Sequence, residues 1–196
     1  MIELLPNMYD KLHEGHIGWF ESRQEKLRDI IKQLKPLNLI EIGFNMGHSC
    51  KLICDTIIEL KDYDSDYKNK EANFYVFDIC VHKRTEGNFN IIQHHYRKDI
   101  TLSFIKGSSQ DTVKNFMRDK DNIFDFIEID GAHTKEAVSS DITDTFNKVR
   151  RGGVMYIDDY ESTEIPCPLV EDGIHNVNWQ HYRTGSIDGV FWGVKI

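Results

Sequence analysis

Along this chain, short apolar runs alternate with longer stretches in which apolar residues return every three or four positions. The runs at 37–43, 73–79, 101–106, 124–130 and 154–158 have the length of strands. Between them lie helical patterns. One covers 19–34 with Phe20, Leu27, Ile30, Ile31 and Leu34 in phase, and Pro36 stops it. A second runs through Leu52, Ile53, Ile57 and Leu60, and a short one spans 110–118. A further one carries Val138, Ile142, Phe146 and Val149. The polar stretch 62–71 reads as an exposed loop, and 80–98, rich in His and Lys, fits neither period. Arg151-Gly152-Gly153 is expected to turn the chain into the fifth strand, and two last strands are expected at 179–184 and 189–195, with Gly185 between them.

Alternation of this kind predicts an α/β fold, a doubly wound and mostly parallel seven-stranded sheet covered on both faces, with a C-terminal antiparallel hairpin. Residues 1–36, an irregular arm and a helix, are expected to belong to the same domain as 37–196. With 196 residues the chain has the length of one domain with a proper core, and no repeat or linker divides it.

Composition narrows the function classes. At 40% hydrophobic and 29% charged, this is an ordinary soluble balance. No apolar run nears the ~18 residues of a membrane span, and no basic-then-apolar leader opens the chain. The expectation is a cytoplasmic protein without a membrane partner. A net charge of −8 argues against a nucleic-acid backbone as main partner. Cys50, Cys54, Cys80 and Cys167 form no C-x-x-C pair and meet no His-x-x-x-His, so neither a zinc site nor a disulfide framework is expected. Cys50 and Cys54, four apart on a helix, read as small hydrophobes facing the sheet.

Chemistry gathers where the strands end, the edge at which open α/β sheets bind ligands. The first strand ends in Glu41-Ile42-Gly43-Phe44-Asn45-Met46-Gly47-His48-Ser49. Gly43 permits a turn, Gly47 lets a helix start approach a ligand, and Ser49 can open that helix. The glycines miss the G-x-G-x-x-G and G-x-x-x-x-G-K-[ST] spacings. Glu41 would repel a pyrophosphate but suits an ammonium or sulfonium group. Asp78, ending the second strand, can accept both hydroxyls of a ribose, or can cap a helix. Gly107-Ser108-Ser109-Gln110 after the third strand suits an adenine edge, or a helix cap.

The fourth and fifth strands end in Asp130-Gly131-Ala132-His133 and Asp158-Asp159-Tyr160. Three carboxylates from neighbouring strands repel one another unless a cation sits among them, and an all-oxygen set suits a hard divalent ion such as Mg²⁺. His133 lies beside them, and an imidazole with its ordinary pKa of ~6.5 serves as a general base near neutrality. A helix-start cap is the plainer role for that residue.

From Leu39 to Tyr160 these motifs resemble class I S-adenosylmethionine (SAM) methyltransferases, above all the metal-dependent small-molecule O-methyltransferases. Phe124-Asp125-Phe126-Ile127-Glu128-Ile129-Asp130-Gly131-Ala132-His133 matches their fourth strand. The segment Arg151 to Tyr160 is similar to the fifth strand of macrocin-type sugar O-methyltransferases, and Gly107 to Asp111 resembles the adenine segment of catechol O-methyltransferase. The resemblance implies that Glu41, Gly43, Asn45, Gly47 and Ser49 surround the methionine part and ribose of SAM. It gives Asp78 the ribose diol, and Ser108, Ser109 and Gln110 the adenine. Asp130, Asp158 and Asp159 match the metal ligands. The base is His133, standing where catechol O-methyltransferase has a lysine, or Asp130, as in the macrocin-like enzymes.

The implied activity is metal-assisted methyl transfer to a hydroxyl of a small molecule, a sugar or other vicinal diol. His16, Trp19, Tyr160, His175 and Trp179 are candidates for a lid, or for ordinary packing. Three other readings carry less support. A methyltransferase acting on nucleic acid or protein is disfavoured by the acidic charge, and base-amino methyltransferases carry an Asn/Asp-Pro-Pro-Tyr/Phe motif where this chain has Asp130-Gly131-Ala132-His133. A non-catalytic SAM-binding subunit has no need of the acid triad. A Rossmann oxidoreductase conflicts with Glu41 and the glycine spacing. The sequence leaves the oligomeric state open, a homo-oligomer included.

Overall fold

The computed structural model describes residues 4–8, 17, 20–160 and 168–196. Its elements run α1 (Glu21–Leu34), β1 (Asn38–Ile42), α2 (His48–Tyr63), β2 (Ala72–Asp78), α3 (Thr85–Tyr96), β3 (Ile100–Lys106) and α4 (Ser109–Phe116). They continue with β4 (Phe124–Ile129), α5 (Lys135–Phe146), β5 (Val149–Ile157), α6 (Pro168–His175), β6 (Tyr182–Ile187) and β7 (Val190–Lys195). The described strands form one seven-stranded sheet in the order β3-β2-β1-β4-β5-β7-β6. β1 to β5 are parallel, and β7 and β6 close the edge antiparallel. The doubly wound sheet with its C-terminal hairpin is as expected. The order reverses between β1 and β4, which opens a crevice at their carboxyl ends.

The two sheet faces bury different residues because side chains alternate along a strand. Leu39, Phe74, Val76, Phe126 and Tyr156 pack with Leu27 and Ile31 of α1, Cys50, Ile53, Cys54 and Ile57 of α2, and Phe89 and Ile92 of α3. Ile40, Ile42, Phe77, Ile127, Ile129, Met155 and Ile157 pack with Val113 of α4, Val138 and Ile142 of α5, and Val170 and Ile174 of α6. Cys50 and Cys54 are fully buried free thiols, as a role of small hydrophobes requires. Among the described residues no helix is long and apolar enough to cross a membrane.

Four local expectations are corrected. The unassigned stretch 80–98 contains α3, whose stripe of Thr85, Asn88, Phe89, Ile92 and Tyr96 is too polar to stand out by periodicity. Arg151-Gly152-Gly153 does not precede the fifth strand. β5 begins at Val149, which pairs with Phe124, and the glycines lie inside it, where the β4–β5 register shifts. From the Phe124–Val149 pair to the Phe126–Val154 pair β5 spends three residues more than β4, and they are absorbed in an irregular bulge where Gly152 has φ +76. Val149, in phase with the preceding helix, therefore belongs to the sheet. Gly185 is not the hairpin turn either. It pairs with Trp192, whose ring fills the space of a side chain, and the turn is Asp188-Gly189, both with positive φ. Finally, α6 lies in a stretch for which no helix was expected.

Candidate active site

The crevice between β1 and β4 is the floor of a cavity of about 510 Å³, of a size that suits a nucleoside-sized ligand. The parallel ladder sets it up by continuing one residue past each strand. Gly43 N donates to Phe77 O at 2.8 Å, Asp130 N to Ile42 O at 2.8 Å, and Asp158 N to Ile129 O at 3.1 Å. The residues following β1, β4 and β5 are thus held side by side. Gly43 is required there. Its φ is +96, and a Cβ would stand 1.9 Å from the Asp130 carbonyl oxygen.

At one end of the cavity lies Asp78. Its carboxylate accepts the backbone N–H of Asn45 at 2.9 Å and that of Cys80 at 2.5 Å, and so ties the loop after β1 to the end of β2. Gly43, Asn45, Asp78, Ser108 and Ser109 all line the cavity. Gln110 does not line it and is exposed. Gly47 and Ser49 also stand back from it. The space beside Gly47 is taken by the Phe44 ring, and Ser49 Oγ donates to Glu41 Oε1 in the buried layer beneath. Ile79 and Val81, both exposed apolar residues, and His82 add to the rim. No residue-type rule singled those three out.

Glu41 is fully buried and is not part of the cavity lining. In register with it on β4 is Glu128, which in turn pairs with Tyr156 on β5. Glu41 Oε2, Glu128 Oε2 and the Tyr156 hydroxyl are buried without a hydrogen-bond partner among the described residues. Burial pushes the Glu41 carboxyl up to about 8, with Ser49 opposing, and pushes Glu128 well above the usual carboxylate range, with the Glu41 charge adding to it. Glu128 escaped the sequence reading because it sits inside an apolar run. Its two-residue offset from Asp130 was the available signal.

The other end of the cavity holds the acids. Asp130 and Asp159 flank the imidazole of His133, with Nε2 3.5 Å from Asp130 Oδ1 and 3.2 Å from Asp159 Oδ2. Asp159 sits in the left-handed backbone region, φ 61, which aspartate tolerates better than most residues. These three residues offer one ligand atom each within 4.8 Å of one another. The hydrogen bond to Asp130 raises His133 to about 8 against the opposing effect of burial. Asp130 is itself pushed up by burial, with His133 opposing.

Asp158 lines the same cavity but has different partners. Its Oδ1 accepts the Asp159 backbone N–H at 3.0 Å and the Arg23 guanidinium at 2.8 Å. Burial and the neighbouring Asp130 push its carboxyl up to about 8, and Arg23 works against them. Arg23 comes from α1, is only 3% exposed, and also lines the cavity. The geometry therefore groups Asp130 and Asp159 with His133, and Asp158 and Asp159 with Arg23, so that Asp159 belongs to both groups. Arg23 was missed as a site residue, although it falls on the buried stripe of α1 with Leu27 and Ile31, where a cation demands a partner.

Of the lid candidates, His16 and Trp19 lie outside the described residues. Tyr160, His175 and Trp179 pack with Phe191, Phe146 and Tyr182 on the α6 side and do not line the cavity.

Known proteins share this architecture. The structure of CalS11, a TDP-rhamnose 3'-O-methyltransferase in calicheamicin biosynthesis, superposes with a TM-score of 0.68 at 10% identity, over 88% of this chain and 78% of that one. The O-methyltransferase from Bacillus cereus in complex with SAH gives a TM-score of 0.67 at 13% identity, over 94% and 84%. The O-methyltransferase NovP gives 0.62 at 18% identity, over 88% and 79%. At such identities the likeness is one of fold. No protein of curated function matches the sequence. The family described as Methyltransferase domain matches residues 40–160, from the middle of β1 to the residue after the two acids, and with more than half of its length so covered this chain belongs to that methyltransferase family.

Proposed function

We propose that this methyltransferase uses SAM as donor and methylates a hydroxyl of a small molecule, a sugar or other vicinal diol. The observation that carries the reading is the convergence of two unlike groups on one cavity. Asp78, Asn45, Ser108 and Ser109 at one end suit a nucleoside, and Asp130, His133 and Asp159 at the other suit proton removal from an acceptor. SAH in the Bacillus cereus relative and the sugar substrate of CalS11 support the donor and acceptor classes.

Methyl transfer from SAM moves a methyl group from a sulfonium to an oxygen. The sulfur leaves neutral, and the acceptor proton goes to a base. Charge disappears in this step, so a partly desolvated cavity favours it, provided that oxygen, methyl and sulfur are held in line. In this proposal Asp78 takes the ribose hydroxyls and fixes the donor. Ser108 and Ser109 meet the adenine. Gly43 lets the loop after β1 pass close to the ligand.

The donor set of Asp130, His133 and Asp159 fits a divalent cation, because two carboxylates and an imidazole offer one ligand atom each within 4.8 Å of one another. Held there, such an ion would lower the pKa of an acceptor hydroxyl and fix its position. Of the chain's own groups, the Asp130 carboxylate and the His133 ring are the candidates to take the acceptor proton. With no ion bound, the two carboxylates hold the proton on Nε2 and leave Nδ1 of His133 as the accepting atom.

Calorimetry with SAM, SAH and NAD tests the donor. Binding of SAM and SAH but not NAD is expected, and binding of NAD alone overturns the reading. Transfer of labelled methyl to a panel of sugars and catechols, before and after exhaustive chelation, tests acceptor and metal. Full activity after chelation assigns the proton to His133 and removes the ion from the proposal.

A further inference from the structure

We propose that Arg23 is the resident cation of the acid cluster, a positioning residue that keeps Asp158 out of any metal's coordination shell and orients Asp159 toward His133. The inference rests on the reading of this cluster as the reaction site. It departs from the three-aspartate set that the resemblance implied.

The arginine has a built seat. Its guanidinium is 2.8 Å from Asp158 Oδ1 and 3.3 Å from Asp159 Oδ1. Its Nε donates to the Asp188 carbonyl at 2.8 Å, and the group lies 4.1 Å from the centre of the Phe20 ring. Gly189 completes the seat by having no side chain, because a Cβ there would stand 2.1 Å from the guanidinium. An arginine on α1 is thus held by the β6–β7 turn and the end of β5 at once. The planar, permanently charged fork suits a site that must hold two carboxylates in fixed directions.

This arrangement decides how the acids are shared. Asp159 presents Oδ1 to Arg23 and Oδ2 to His133, so it links the fixed cation to the imidazole. Asp158 gives its Oδ1 to both Arg23 and the Asp159 backbone N–H, and it is not among the residues whose ligand atoms converge within 4.8 Å. A divalent ion drawing on Asp158 would have to meet the guanidinium at close range, and like charges in a buried site repel strongly. The cation that three crowded carboxylates require is in part supplied by the chain itself.

The test is Mn²⁺ binding to the protein alone, with neither donor nor acceptor, read from the electron paramagnetic resonance of free Mn²⁺. In the wild-type background Asp158→Asn is expected to leave the affinity within twofold, whereas Asp130→Asn and Asp159→Asn lower it at least tenfold. Arg23→Gln frees Asp158 and is expected to raise the affinity at least tenfold, and adding Asp158→Asn cancels that gain. Arg23→Lys keeps the charge and stays near wild type. An Asp158→Asn loss as large as that of Asp130→Asn overturns the proposal, and so does an Arg23→Gln protein that melts cooperatively but gains no affinity. If Arg23→Gln does not fold, the three aspartate variants decide alone. SAM calorimetry on the same samples keeps a failure of this inference apart from a failure of the donor assignment.

Discussion

Replacing Asp78 with alanine removes the group that ties the loop after β1 to the end of β2 at one end of the cavity. In the structure its carboxylate accepts two backbone N–H groups, from Asn45 at 2.9 Å and Cys80 at 2.5 Å, while facing the cavity. Hydrogen bonds to an ionised acceptor contribute ~1.5–3 kcal/mol each. Both N–H groups stand at a partly exposed site, so water recovers part of that loss, and the unliganded protein should lose ~1–3 kcal/mol of stability. In the proposed reading the ligand loses its hydroxyl contacts as well. A loss of ~1.5–3 kcal/mol there weakens SAM roughly ten- to a hundredfold, since ~1.4 kcal/mol is a factor of ten. Asp78→Asn keeps the size and one acceptor oxygen but not the charge, and should fall between alanine and wild type. Calorimetry with SAM and SAH measures the affinities, and thermal melts without ligand separate loop loosening from lost contacts. An Asp78→Ala protein that melts cooperatively and binds SAM within twofold of wild type would refute both the assignment and the arithmetic.

His133→Ala should cut turnover roughly 10²–10⁴-fold with little change in SAM affinity if the ring is the base. Because His133 is raised to about 8 and only the neutral ring accepts a proton, the chelated wild-type rate should climb about tenfold from pH 7 to 9 and then level off. A pH-independent rate, or near-normal turnover in His133→Ala, moves the base to Asp130. Glu41→Gln tests the buried acid row. Glu41 is held near 8 in the fold against an ordinary 4.5, so the folded state binds the extra proton between those values. Wild-type stability must therefore fall as pH rises through that window, by up to ~1.4 kcal/mol per pH unit. The melting temperature of Glu41→Gln relative to wild type should rise from pH 5 to pH 8, and a constant difference across that range contradicts the assignment.

The elements that could be read directly are those whose signal is local. Leu39 to Gly43 or Phe124 to Ile129 form strands because a short apolar run between polar turns has nowhere stable to go except a sheet buried on both faces. Acids and glycines at their ends point to the ligand edge for a reason that is also local, since a strand that stops must turn and expose polar groups. Gly43 was legible as a turn residue on those terms. α3 was not, because its buried stripe contains Thr85 and Asn88 and its periodicity is diluted.

Tertiary structure decided the partnerships. Nothing near Asp158 in the chain announces Arg23, which precedes it by 135 positions and reaches it because α1 shares a buried layer with Val154 and Tyr156 of β5. Nothing near Glu41 announces Glu128. Only the β1–β4 register sets the two carboxyls side by side, in a layer below the cavity. Gly185 and Gly189 look alike in the sequence, yet one makes room for Trp192 and the other for Arg23. The sequence by itself therefore determined which segments form strands and helices and at which edge the chemistry gathers, because backbone geometry and burial act over a few residues. Which acid meets a cation, which meets His133 and which is buried depends on contacts between distant segments, and those exist only once the sheet has set its order and register.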